Sequence, residues 1–163
     1  ALGLAAFLYP FFLSAPPAGD TGSAHAATAP LIFALLGPGL LLLLLAELGG
    51  GRLSTRALAA LGVLTGVVAV LRLPAGPGDA PSFFFLIILA GYVYGGAFGF
   101  LLGALGLFVS ALLTGGVGPW MPFQMFVAGW MGLCTAAIAP LGARLRPGSW
   151  GEIGLLAAYG YLW

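Results

Sequence analysis

The sequence predicts an all-α, polytopic helical membrane protein, on two observations. The first is charge. Of 163 residues, 61% are hydrophobic and 6% are charged, and mean hydropathy is +1.13. A soluble domain carries about a quarter charged residues and shows them on its surface. This chain has five arginines, no lysine and four acidic residues, so its solvent is lipid. The second is run length. The apolar runs are long and continuous, not alternating segments of about ten residues, which selects helices over a barrel.

In chain order the apolar runs are 1–15, 30–48, 57–73, 83–113, 122–140 and 151–163. The first lacks an initiator Met and a basic flank, so it reads as a truncated helix rather than a signal peptide. The last run also reads as truncated, which predicts a piece of a longer protein. "SAPPAGDTGSAHAATAP" (14–30) reads as a flexible outer loop. "AELGGGRLSTR" (46–56) reads as a hinge, with Ser54 or Thr55 capping the next helix.

Run 83–113 is long for one span of about 20 residues and short for two. Its middle, "AGYVYGGAFG", carries glycines at 91, 95, 96 and 99, and glycine pairs bend or break helices. Arginine placement arbitrates, because short cytoplasmic loops carry the Lys/Arg excess. Two short helices turning at Gly95-Gly96 put Arg52, Arg56, Arg144 and Arg146 on one face; one long helix parts them. The expected spans are therefore 1–15, 30–48, 57–73, 80–94, 97–113, 122–140 and 151 onward. The N-terminus is then cytoplasmic, and Asp20, His25, Arg72, Asp79 and the loop 114–121 lie outside. The division expected is an N-terminal helix pair, 1–48, and a core, 52–163, incomplete at its C-terminal end.

Composition and motifs exclude several classes. The net charge of +1 with scattered arginines carries no nucleic-acid signature. One cysteine, Cys134, makes neither a disulfide nor a thiolate metal site within the chain. GxSxG, HExxH and Walker A patterns are absent, and no Asp or Glu sits mid-span to couple transport to ions. The expectation is a non-enzyme without cofactor or metal: a passive binder, a channel-like element or a subunit driven by another protein.

Four features remain. Gly62 and Gly66 form a small-xxx-small pair, with Ala59 and Ala69 nearby, which serves either packing within the bundle or docking of another membrane subunit. Arg72 and Asp79 flank the stiff loop "LPAGPG", as a structural staple or as a site for a polar solute. Tyr92 and Tyr94 read as interfacial belt residues. "TGGVGPWMPFQMF" (114–126) has its backbone fixed by glycines and prolines, offers the Trp120 ring, and brings the Gln124 amide to a helix mouth. It is either an interfacial anchor or the lip of a site for an uncharged or zwitterionic ligand.

The stretches "LGVLTGVVAVLRLP", "FFFLIILAGYVYGGAFGFLLGALGLFVSALLTGGVGPWMPFQMFVAGWMGL" and "EIGLLAAYG" resemble substrate-binding S components of energy-coupling factor (ECF) vitamin transporters. The resemblance extends over roughly 1–163, is most specific at "GxGPWxPxQM" (116–125), and is nearest to the actinobacterial type with extra N-terminal helices. It implies a six-helix domain in the bacterial plasma membrane that captures a vitamin on the outer face, cobalamin being favoured. The domain docks on a transmembrane coupling subunit powered by two cytoplasmic ATPases. Substrate binding then maps to Arg72, Asp79, Trp120, Gln124 and Trp130, and docking to Ala59, Gly62, Gly66 and Ala69, where the family's small pair is AxxxA. The rival reading is a structural or assembly membrane subunit that binds no ligand.

Overall fold

In lipid, every backbone polar group has to be satisfied within its own segment. The chain meets this with helices through the residues described by the computed structural model, which are 29–51, 54–73 and 82–163. Six helices follow one another: α1 (Ala29–Gly49), α2 (Thr55–Leu71), α3 (Phe84–Tyr94), α4 (Gly96–Thr114), α5 (Met121–Gly142) and α6 (Trp150–Leu162). The expected first span, its loop, Arg52 and Asp79 lie outside the described residues.

Local chemistry sets most of the ends. The Ser54 hydroxyl accepts from the Ala57 N–H at 3.2 Å and starts α2, as its position in the sequence suggested. Gly115, in the left-handed region at φ 66°, ends α4. Pro122 occupies the first turn of α5, where its missing N–H costs nothing. Ser149 caps α6 by accepting from the Glu152 N–H at 3.3 Å. Glu152 adds negative charge to that first turn.

The long apolar run is two helices, not one. Gly95 has φ 98° and ψ 161°, a conformation that glycine alone adopts cheaply. The chain doubles back there: a Cβ built on Gly99 would lie 2.7 Å from the Gly91 Cα. In a continuous helix those two positions would be about 12 Å apart. The hairpin supports the two-helix reading, with one difference. The helix expected over 80–94 begins only at Phe84, and its 11 residues span about 16 Å against a hydrocarbon core of about 30 Å. Three described helices, α1, α4 and α5, are long and apolar enough to cross alone.

The core is built on α4, which packs most extensively against α5 and next against α2. Between α4 and α5 the seam is made of glycine. A Cβ on Gly132 would run into the Gly99 backbone, and one on Gly103 into the backbone of Ala128. Gly91 of α3 meets the same place, where a Cβ would lie 2.5 Å from the Thr135 hydroxyl. That hydroxyl donates to the Gly132 carbonyl at 2.6 Å, within its own helix. Three helices therefore cross at Gly132. Lipid tails are as apolar as leucine, so such close backbone packing is what holds membrane helices together. Phe98, Leu101, Leu102, Ile87 and Val68 fill the space around the seam.

α1 lies against α4 and α5 through Ile32, Leu36 and Leu40, one helical stripe at i, i+4 and i+8. α6 rests on the short α3, and the buried Tyr159 hydroxyl donates to the Met131 carbonyl at 2.6 Å. The two ends of the bundle follow from contacts. One end gathers the close of α2, the close of α4 and the start of α5. The other gathers the close of α3, the close of α5 and the start of α6.

Candidate functional site

Arg72 closes α2, where a cation is favoured by the carbonyl end of the helix. Its half-buried guanidinium reaches across the bundle. Nη1 donates to the Ser110 hydroxyl of α4 and Nη2 donates to the Gln124 Oε1 of α5, both at 3.4 Å. Three helices thus each contribute one polar side chain to one point. Ser110 is 0% exposed and stands on the buried side of α4, whereas Gln124 is exposed one turn into α5. The arrangement offers charged donors, an amide and a hydroxyl. It has no nucleophile paired with a base. No group of three metal-ligating side chains occurs among the described residues.

The loop 115–120 joins α4 to α5 next to this point. Trp120 is 55% exposed, and its ring folds back over Gly118, where a Cβ would collide with it. Gly118 and Trp120 accept from the Met121 and Gln124 N–H groups, which ties the loop into the first turn of α5. The Trp120 side chain, lying against Gly118, therefore stands exposed at the entry to α5.

The structure brings together only part of the expected site. Arg72 and Gln124 meet; Trp120 lies on the adjoining loop. Trp130 does not join them. It is half-buried beside Phe126, with ring centroids 6.1 Å apart. Phe126 in turn faces Phe100, ten residues before Ser110 on α4. Asp79 lies outside the described residues. Sequence reasoning missed Ser110. The available signal was that run 83–113 holds one serine and two tyrosines in an otherwise apolar stretch.

The docking candidates divide as well. A Cβ at Gly62 or Gly66 would meet nothing within 4 Å, and Ala59 is exposed. Packing within the bundle therefore does not explain this pair among the described residues. Ala69 departs from the expected set: it is 0% exposed, on the inward stripe with Leu61, Thr65 and Val68.

At the opposite end Tyr92 is more than a belt residue. Its hydroxyl donates to Glu152 Oε1 at 2.9 Å, while Glu152 Oε2 accepts from the Gly148 N–H at 2.6 Å. The ring sits on Gly142, where a Cβ has no room. Arg144 and Arg146 are exposed on the loop beside this clasp. An apolar cavity of about 270 Å³ opens elsewhere, between α1 and α4, lined by Leu36, Leu40, Leu44, Leu101, Phe108 and Met125 among others. It presents almost no polar surface and is separate from the Arg72 cluster.

The described residues thus form an apolar helical bundle with a polar cluster at one end and an open small-residue face on its flank. The family model described as "ECF transporter, substrate-specific component" matches residues 56–163, and the chain belongs to that family. It is a substrate-binding membrane subunit of an ECF transporter, a family that associates with coupling and ATPase subunits. The match begins at residue 56 and leaves α1 outside it. No curated protein and no solved structure matches the chain.

Proposed function

We propose that this chain captures a vitamin, cobalamin being favoured, at the Arg72 end of the bundle, which faces out of the cell. The Gly62–Gly66 face passes the loaded subunit to a transmembrane coupling protein driven by two cytoplasmic ATPases. The observation that carries this reading is the convergence of Arg72, Ser110 and Gln124 beside the Trp120 lip. A half-buried guanidinium held by neutral partners is costly to maintain without a purpose. Orientation follows from the arginines: Arg56, Arg144 and Arg146 all stand at or next to the opposite end, which the positive-inside rule places in the cytoplasm. On this reading, with the expected span 1–15 counted, the N-terminus is cytoplasmic. The extra N-terminal helices of the actinobacterial type correspond on this reading to residues 1–48, of which α1 leans on α4 and α5.

The test is equilibrium binding of a vitamin panel to the purified full-length protein, followed by Trp fluorescence and thermal shift. One vitamin binds and raises the melting temperature, and Trp120→Ala weakens that binding while the protein still folds. If no vitamin changes either signal, the capture role is wrong.

A further inference from the structure

The two protein contacts of Arg72 are weak for a guanidinium. Both are made to uncharged oxygens, and both lie at 3.4 Å. A guanidinium carries five N–H donors in a planar fork. Its bonds to carboxylate or phosphate oxygens run at about 2.7–2.9 Å and are roughly twice as strong as neutral ones. Neither described carboxylate is placed to serve it. Glu152 is engaged by Tyr92 and Gly148 at the far end of the bundle. Glu47 precedes the start of α2, while Arg72 stands a helix length of about 25 Å further on. One turn after Ser110, the Thr114 hydroxyl is engaged with the Ser110 carbonyl at 2.9 Å; Val117 and Trp120 are exposed on the loop that follows, and Met121 and Phe123 are buried at the start of α5.

Resting on the vitamin-capture reading, we infer that the substrate carries an anionic group, a carboxylate or a phosphodiester, on a largely uncharged body, and that Arg72 receives that group. Ser110 is a positioning residue. Its buried hydroxyl holds Nη1 from below, so that the remaining N–H donors of the fork are presented toward the mouth. Gln124 holds Nη2 from the side and marks the edge of the subsite. A cationic substrate is repelled from the same point, so one residue supplies both attraction and exclusion.

The experiment uses the full-length protein in nanodiscs with biotin and folate as carboxylates, cobalamin as a phosphodiester, riboflavin as an uncharged probe and thiamine as a cation. The tightest ligand is expected among the first three. Arg72→Gln weakens it about tenfold or more. Arg72→Lys, which keeps the charge but not the fork, falls between. If the bound vitamin is a carboxylate, its methyl ester binds wild type as weakly as the acid binds Arg72→Gln, and the variant no longer separates acid from ester. If it is cobalamin, cobinamide, which lacks the phosphodiester, takes the place of the ester. Tightest binding of riboflavin or thiamine, or equal loss of acid and ester in Arg72→Gln, overturns the inference and leaves vitamin capture standing. The second result would make Arg72 a structural residue, and Arg72→Gln would then lower the melting temperature of the unliganded protein. Absence of any binding overturns both.

Discussion

The glycines of α4 and α5 and those of α2 are the same residue in similar apolar helices, yet they meet opposite surroundings. At Gly99, Gly103 and Gly132 an added Cβ would strike backbone; at Gly62 and Gly66 it would touch nothing. The first set lets two helices approach until their main chains are in contact, which is how association is achieved where no water drives it. The second set leaves a shallow, featureless strip on the flank of the bundle. Small residues alone therefore do not report what a membrane helix does with its surface. What lies opposite decides whether the strip is part of the core or a place for a partner.

The sharpest way to break this contrast is to place a methyl group in the seam. Gly132→Ala or Gly99→Ala forces the α4 and α5 backbones apart where α3 also meets them. We expect a loss of about 3 kcal/mol or more in stability, seen as a large fall in melting temperature in detergent. A variant that melted like wild type would show that the helices are not in main-chain contact. Gly106→Ala should cost less, about 1–2 kcal/mol, because its Cβ meets a Val68 side-chain methyl rather than backbone. Val68→Ala introduced with it should recover part of that loss, a coupling measurable as a double-mutant cycle. Smallest in stability is the outer pair. Gly62→Leu and Gly66→Leu should change the melting temperature by no more than about 0.5 kcal/mol warrants, keep vitamin binding, and lose co-purification with the coupling subunit. A drop in melting temperature there would mean that another part of the chain covers the strip.

Much of this fold was legible in the sequence because its strongest signals are local. Run lengths located the helices, Ser54 or Thr55 marked a cap, and arginine placement favoured a turn at Gly95-Gly96. What the sequence withheld was which face of each helix points where. In water an apolar stripe marks the inside; in lipid α4 and α5 are apolar all round, so Gly103 and Gly62 look alike on paper. Ala69 was for this reason grouped with the outward glycines although it faces Val68's side of the bundle. The polar cluster was half legible for a related reason. Arg72 and Gln124 are conspicuous in an apolar chain, whereas Ser110 matters only through a contact 38 residues away. The bond of Tyr92 was hidden for the same reason, since its acidic partner lies 60 residues further along.

The turn at Gly95 governs more than the packing of its neighbours. A side chain there is strained at φ 98°, and relief of that strain favours carrying the helix straight through. Residues 84–114 would then form one rod of 31 residues, about 46 Å long. The number of crossings before α5 would change by one, and with it the side of the membrane on which every later loop emerges. Arg144 and Arg146 would be parted from Arg56 and obliged to cross the bilayer during synthesis. A single residue thus sets the direction in which every helix after it runs through the bundle.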